Sequence, residues 1–138
     1  MTDTQWNLLL DLISGKQSSE PVTGFIIDSP WLPGWAGISN IGYYASERKW
    51  MEANRRAIEA FPDTLFLPGF WSEFGMCTEP SAFGARCVWL PDQLPHAEKV
   101  LDDIYGVSTL KQPDPALDGL LPFMIERLRS TEEEMLEI

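Results

Sequence analysis

Histidine occurs once in this 138-residue chain, at His96, and cysteine twice, at Cys77 and Cys87. Their positions lack any tight ligand spacing, so no metal site is expected from this chain alone. Two cysteines make no disulfide framework, and a cytosolic chain would keep both reduced. Basic residues are also scarce, 10 Lys and Arg against 21 Asp and Glu, for a net charge of −11. That balance argues against nucleic acid or an anionic membrane surface as a partner. No apolar run approaches the roughly 20 residues that cross a bilayer. The start, Met1 to Trp6, has no basic segment, and Asp11 interrupts the apolar run after it, so no signal peptide is expected. These features point to the cytoplasm. Phosphate loops of the GxGxxG or GxxxxGK[ST] type and the GxSxG nucleophile turn are absent, so no motif names a reaction.

Aromatic residues are abundant. Six Trp and seven Phe argue against disorder, because each supplies large burial. Residues 4–14 read as a helix with Trp6, Leu9, Leu10 and Ile13 on one face and Gly15 as its stop. Residues 22–28 form a continuous apolar run ending in Asp28, which suits a strand buried on both faces of a parallel sheet. The stretch 29–37 carries two Pro and two Gly with two Trp, and reads as an irregular loop. Ser46 suits an N-cap for a helix over 47–60, whose buried stripe is Trp50, Ala53, Ala57 and Phe61. Residues 64–67 form a second short strand, and a second long loop runs to Ala85. Residues 86–90 suit a strand in a small excursion. Residues 95–104 read as a short helix with Ala97, Val100, Leu101 and Ile104 inward. The last helix shows Leu117, Leu120, Leu121, Met124, Ile125 and Leu128 on one face. Pro115 fits its first turn, and Thr131 with Glu134 forms a capping-box pattern that would restart a helix.

Strands alternating with helices predict α/β architecture with a parallel sheet. Two main strands neither close a barrel nor cover these helices. A (β/α)₈ barrel takes about 250 residues. The chain therefore reads as a partial (β/α)₈ TIM barrel, its first strands and helices, with further strands supplied elsewhere. The alternative is a small self-sufficient α/β domain. A partial barrel exposes strand edges and apolar helix faces, which invite a second copy or a complementary chain.

In such a barrel the loops after the strands build the site. Those loops hold three acids, Asp28, Glu73 and Glu79, as candidate catalytic groups. Trp31, Trp35, Phe70, Trp71, Met76, Cys77 and Phe83 are candidate substrate-binding residues. Acids among aromatics suit a pocket for a flat or apolar substrate, and burial would raise a carboxyl pKa toward general-acid use. Each residue also has a plain reading. Asp28 can cap its loop, Glu73 and Glu79 can be solvated, and Cys77 can be a small buried hydrophobe. Cys87 reads as core, and His96, Arg55 and Arg56 as surface.

The runs GFIIDSPWLPGWAGIS (24–39) and FLPGFWSEFGMCTEPSAFGA (66–85) resemble members of the uroporphyrinogen decarboxylase superfamily, which also contains methyltransferases acting on methylcobamide and coenzyme M. The resemblance covers nearly the whole chain and about the first 40% of a barrel of that scale. It implies an N-terminal portion of a uroporphyrinogen decarboxylase-like domain over 1–138, with a cleft at the strand ends. The family's decarboxylation of uroporphyrinogen to coproporphyrinogen, in porphyrin biosynthesis, uses no cofactor. It relies on an aspartate and on arginines of an Arg-Gln-Ala-Gly-Arg-Tyr-Leu-Pro motif. Here that motif corresponds to residues 26–33: the arginine positions hold Ile26 and Pro30, and Leu32-Pro33 is kept. The aspartate position falls at about Gly69. Substrate carboxylates need cationic partners, so these losses speak against uroporphyrinogen itself. The resemblance also implies a second activity, methyl transfer with a corrinoid and a zinc ion whose His and Cys ligands come from later strands. The partner is then a tetrapyrrole or corrinoid-type small molecule. A third expectation is a truncated or split chain that is inactive alone and acts only with a complementary piece.

Overall fold

The computed structural model describes residues 1–26, 31–67 and 70–138. Asp28 therefore lies outside the described residues.

Helix α1 spans Asp3–Ile13. Thr2 starts it with a capping box: its hydroxyl accepts from the Gln5 amide N–H, and the Gln5 side chain accepts from the Thr2 amide. The expected inward face is corrected. Trp6, Leu10 and Ile13 are exposed, and Gln5, Leu8, Leu9 and Leu12 turn toward the body. Gln5 fixes that rotation by donating to the Pro62 carbonyl at 2.8 Å.

Strand β1 is Gly24–Phe25 and β2 is Leu65–Phe66. They pair in parallel, Gly24 opposite Leu65 and Phe25 opposite Phe66, as the alternating strand and helix pattern predicts. Burial is unequal. Leu65 and Phe66 are buried, whereas Gly24 and Phe25 are exposed. The expectation of a first strand covered on both faces does not hold for these residues, because no element among the described residues encloses them.

Between the strands the chain is helical. Residues 31–37, expected to be irregular, hold helix α2, Leu32–Ala36. Pro33 stands in its first turn, where a missing N–H costs nothing, and Gly37 ends it at φ 71°. Helix α3 is Asn40–Ala45, capped by the Ser39 hydroxyl. Helix α4 is Glu47–Ala60, capped by Ser46 as expected. Trp50, Met51, Ala53, Asn54 and Ala57 of α4 are buried, while Phe61 stays at the surface. The apolar four of these make the core with Leu32, Ala36, Tyr43, Tyr44, Phe66 and Phe74. The small Ala53 and Ala57 let α2 and α3 approach α4 closely.

After β2 come α5, Thr78–Ala82, and an antiparallel hairpin of β3, Cys87–Leu90, and β4, Gln93–Ala97. The helix expected over 95–104 is thus a strand followed by a 3₁₀ turn at Ile104–Thr109. Two causes act together. Pro91-Asp92 closes a two-residue turn between Leu90 and Gln93, and Pro95 sits where the register slips; a residue without an N–H is tolerated there.

Helix α6 spans Leu121–Leu136 without a break at Thr131. Its start falls later than expected. Pro122, not Pro115, occupies the first turn, and Gly119 at φ 58° turns the chain just before it. Leu117 is consequently exposed. Leu120, Met124 and Met135 pack on the core. Thr131 is buried and donates to the Arg127 carbonyl.

The chain is therefore α/β, with one parallel pair and one separate hairpin among the described residues.

Candidate functional site

The first aromatic loop folds into a cluster rather than a pocket wall. Trp31 and Trp35, one turn apart on α2, meet edge-on with centroids 5.9 Å apart. The Trp31 indole N–H donates to the Ile26 carbonyl at 3.3 Å. Trp35 leans on Phe61 at 5.8 Å. The Arg56 guanidinium lies 5.5 Å from the Trp35 ring centre and donates to the Ala36 carbonyl at 2.9 Å. A cation stacked there and bonded to a helix C-terminus is a structural clasp.

The second loop is spent on anchoring. Phe70 packs against Trp50, and the Trp71 carbonyl accepts from the Trp50 indole N–H at 3.2 Å. The Phe74 amide donates to the Thr78 hydroxyl at 2.8 Å. Gly75 has φ 60°, and a Cβ there would come within 2.9 Å of Pro95, so only glycine lets the loop pass the hairpin. The Met76 amide then donates to the Pro95 carbonyl, leaving its side chain 65% exposed. Glu79 and Phe83 border a different, open depression with Lys99, Leu101 and Leu110. The predicted residues thus separate. Trp31 lies just before α2 and Trp35 in its last turn, Phe70 and Trp71 beside Trp50, and Glu79 and Phe83 along α5.

Sequence reasoning missed an apolar hollow. It is a groove of about 340 Å³ lined by Ile41, Tyr44, Ala45, Phe74, Trp89, Leu120 and Phe123. Tyr44 and Trp89 meet at 5.8 Å and 76°, and Phe74 and Trp89 at 6.4 Å and 73°. None of the predicted site residues lines it. Its walls come from α3, the second loop, β3 and the start of α6, so no single stretch of sequence advertises it. The one legible signal is Phe123, an aromatic off the buried stripe of α6.

A hollow of about 220 Å³ continues the groove, sharing Tyr44, Ala45, Phe74 and Phe123 and adding Glu47, Glu126 and Arg127. Arg127 is only 3% exposed. Its guanidinium lies 4.4 Å from the centre of the Phe74 ring and 5.4 Å from that of Trp50. It donates to the Glu73 carbonyl at 3.3 Å and closely to the Tyr44 carbonyl. Burial lowers its pKa, while Tyr43, Glu47 and Tyr44 raise it; an arginine stays charged throughout. Glu73, half-buried, lends Arg127 its backbone.

Cys77 is fully buried, and burial first, then the neighbouring Cys87 side chain, push its thiol up to about 12. It lies out of a ligand's reach and stays protonated near neutrality. Among the described residues, no group of three or more His, Cys, Asp and Glu is placed to hold a metal ion. No described helix is long and apolar enough to cross a membrane. No family model, curated protein or solved structure matches this chain.

Proposed function

We propose that this chain is the opening segment of a larger cytoplasmic α/β barrel of the uroporphyrinogen decarboxylase superfamily, and that its groove receives one edge of a flat macrocycle. The observation that carries the reading is the aromatic wall of Tyr44, Phe74 and Trp89, with almost no polar surface. Aromatic faces are what a planar, largely apolar ligand packs on. The parallel β1–β2 pair with helices between its strands supports the α/β frame. An exposed β1 supports completion by further strands from a complementary chain or a second copy.

Charge separates the two activities within that superfamily. Glu47 and Glu126 stand at the end of the groove. Arg127, which lines the same hollow, is engaged beneath Phe74 and on the carbonyls of Glu73 and Tyr44. A tetrapyrrole rimmed with carboxylates meets like charge there. A corrinoid, whose rim carries amides, does not. The reading therefore favours corrinoid-linked methyl transfer over decarboxylation, with any zinc ligands supplied by the completing strands.

Isothermal titration with a cobalamin and, separately, with uroporphyrin tests this. Saturable cobalamin binding that Trp89→Ala weakens about tenfold, or roughly 1.4 kcal/mol, supports it. Tighter binding of uroporphyrin would restore the decarboxylase reading. Absence of both, in a chain that melts cooperatively, would remove the macrocycle altogether.

A further inference from the structure

Cys77 and Cys87 approach each other from different elements. Cys77 precedes α5 and Cys87 opens β3. The intervening chain turns back on itself at Gly84, whose φ is 87°. The Cys87 sulfur lies 4.0 Å from the Cys77 carbonyl oxygen and 3.9 Å from that of Ala85. The Cys87 side chain is near enough to the Cys77 thiol to raise its pKa. Their burial differs: Cys77 is enclosed and Cys87 only half covered. One thiol that reagents can reach, with a second sheltered behind it, is the arrangement of an attacking and a resolving cysteine.

We propose that Cys77 and Cys87 form a thiol–disulfide site that closes the 77–87 segment under oxidising conditions. The oxidant is a small-molecule disulfide. The Cys87 thiolate attacks one of its sulfurs. A Cys87–S bond forms, the oxidant's S–S bond breaks, and the departing thiolate takes a proton. Cys77 then attacks the Cys87 sulfur as its proton passes to the departing thiolate: a Cys77–Cys87 bond forms, the mixed disulfide breaks, and the second thiol leaves. Two cysteine thiols are oxidised, and one disulfide is reduced to two thiols. The consequence reaches the groove, because Trp89 lies two residues along β3 from Cys87. Closure ties the β3–β4 hairpin to the start of α5 and fixes that wall. This inference does not depend on which ligand the groove takes.

The test incubates the intact chain with oxidised glutathione over a series of redox ratios, then reads intact mass, the peptide map without reductant, and the melting temperature. The expected product is a monomer lighter by two hydrogens, with the peptides containing Cys77 and Cys87 linked. Its Tm should rise by about 5–10 °C, as closing a short loop implies. A glutathione adduct that persists on Cys87 beside a free Cys77, a disulfide-linked dimer, or no loss of thiol at any ratio would each overturn it. So would a linked monomer of lowered Tm, since the native geometry would then not accommodate the bond. Cys77→Ser should trap the Cys87 adduct, and the wild-type result stands whether or not that variant folds.

Discussion

The guanidinium of Arg127 stacks on the ring of Phe74, 4.4 Å from its centre, and joins α6 to the loop that follows β2. The same group donates to the carbonyls of Glu73 and Tyr44, so one side chain holds helix, loop and the end of α3. Replacing it by a hydrophobe of similar shape fills the space but strands both carbonyls. Unpaired buried acceptors cost about 1–3 kcal/mol, and losing the stacked cation adds about 1 kcal/mol. Arg127→Met should therefore lower the urea unfolding free energy by about 2–4 kcal/mol. Arg127→Lys, keeping charge but not the planar fork, should fall between. Equal stability of Arg127→Met and the parent chain would show that the apolar packing of α6 suffices.

Gly119 sets where α6 begins. Its φ is 58°, and a Cβ there would lie 2.4 Å from both the Ala82 nitrogen and the Ser81 hydroxyl oxygen. That hydroxyl accepts from the Leu120 amide at 2.8 Å, so a shift to relieve the clash breaks a tertiary hydrogen bond. Gly119→Ala adds backbone strain of about 1 kcal/mol to this steric conflict. A loss of about 2–3 kcal/mol is expected, a drop of roughly 10 °C in Tm. A melting curve unchanged by the substitution would mean that the α5–α6 contact yields freely.

The elements that were legible are those where one signal stood alone. Ser46 before the Trp50, Ala53 and Ala57 stripe left no competing arrangement for α4, and two short apolar runs flanking helices sufficed for the parallel pair. Elsewhere two signals conflicted. Ala97, Val100, Leu101 and Ile104 keep helical spacing, yet the Pro91-Asp92 turn and the carbonyl of Pro95, which Met76 uses, made a hairpin of their first part. In the 31–37 stretch Pro and Gly read as breakers, although Pro in a first turn and Gly after a last turn are what a short helix accepts. On α1 the most hydrophobic residues do not mark the inward face, because Gln5, a polar residue, decides which face turns inward.

The candidate site was less legible because it is assembled from distant pieces. Trp31, Trp35, Phe70 and Trp71 were singled out for their chemistry and place in loops, but their rings and backbones are engaged in local packing. Tyr44, Phe74 and Trp89 meet only after α3 and the hairpin fold against the second loop. Nothing in the spacing of 44, 74 and 89 encodes that meeting.

Helix α1 should come loose before the rest. None of its residues is buried, and its hydrogen-bonded ties include the Thr2–Gln5 capping box and the bonds from Gln5 to the Pro62 and Thr64 carbonyls. Thr2→Ala removes the cap alone, about 1 kcal/mol. Gln5→Ala removes the reciprocal bond and the tertiary tie, about 1.5–2 kcal/mol. Hydrogen exchange is the fitting measurement, because local opening need not move the global transition. Faster exchange over residues 6–13 with α4 unchanged is expected for both variants, and more so for Gln5→Ala. Exchange that accelerates equally in α4 would mean that α1 belongs to the same cooperative unit.

Stability should decline on the alkaline side through Cys77. Burial first, and then the neighbouring Cys87, hold its thiol at about 12 against an ordinary 9.0. The folded chain thus keeps a proton that the unfolded chain releases from about pH 9 upward. Where the folded state binds more protons, unfolding free energy falls as pH rises. The contribution is intact below pH 9, erodes between about 9 and 12, and is gone once pH passes the folded value. Cys77→Ala has no proton to lose there. Unfolding free energies measured at intervals from pH 7.5 to 10.5 should therefore fall more steeply for the parent chain than for Cys77→Ala, the two curves converging as pH rises. Parallel curves across that window would mean that Cys77 ionises equally in both states, and the enclosure assigned to its thiol would be wrong.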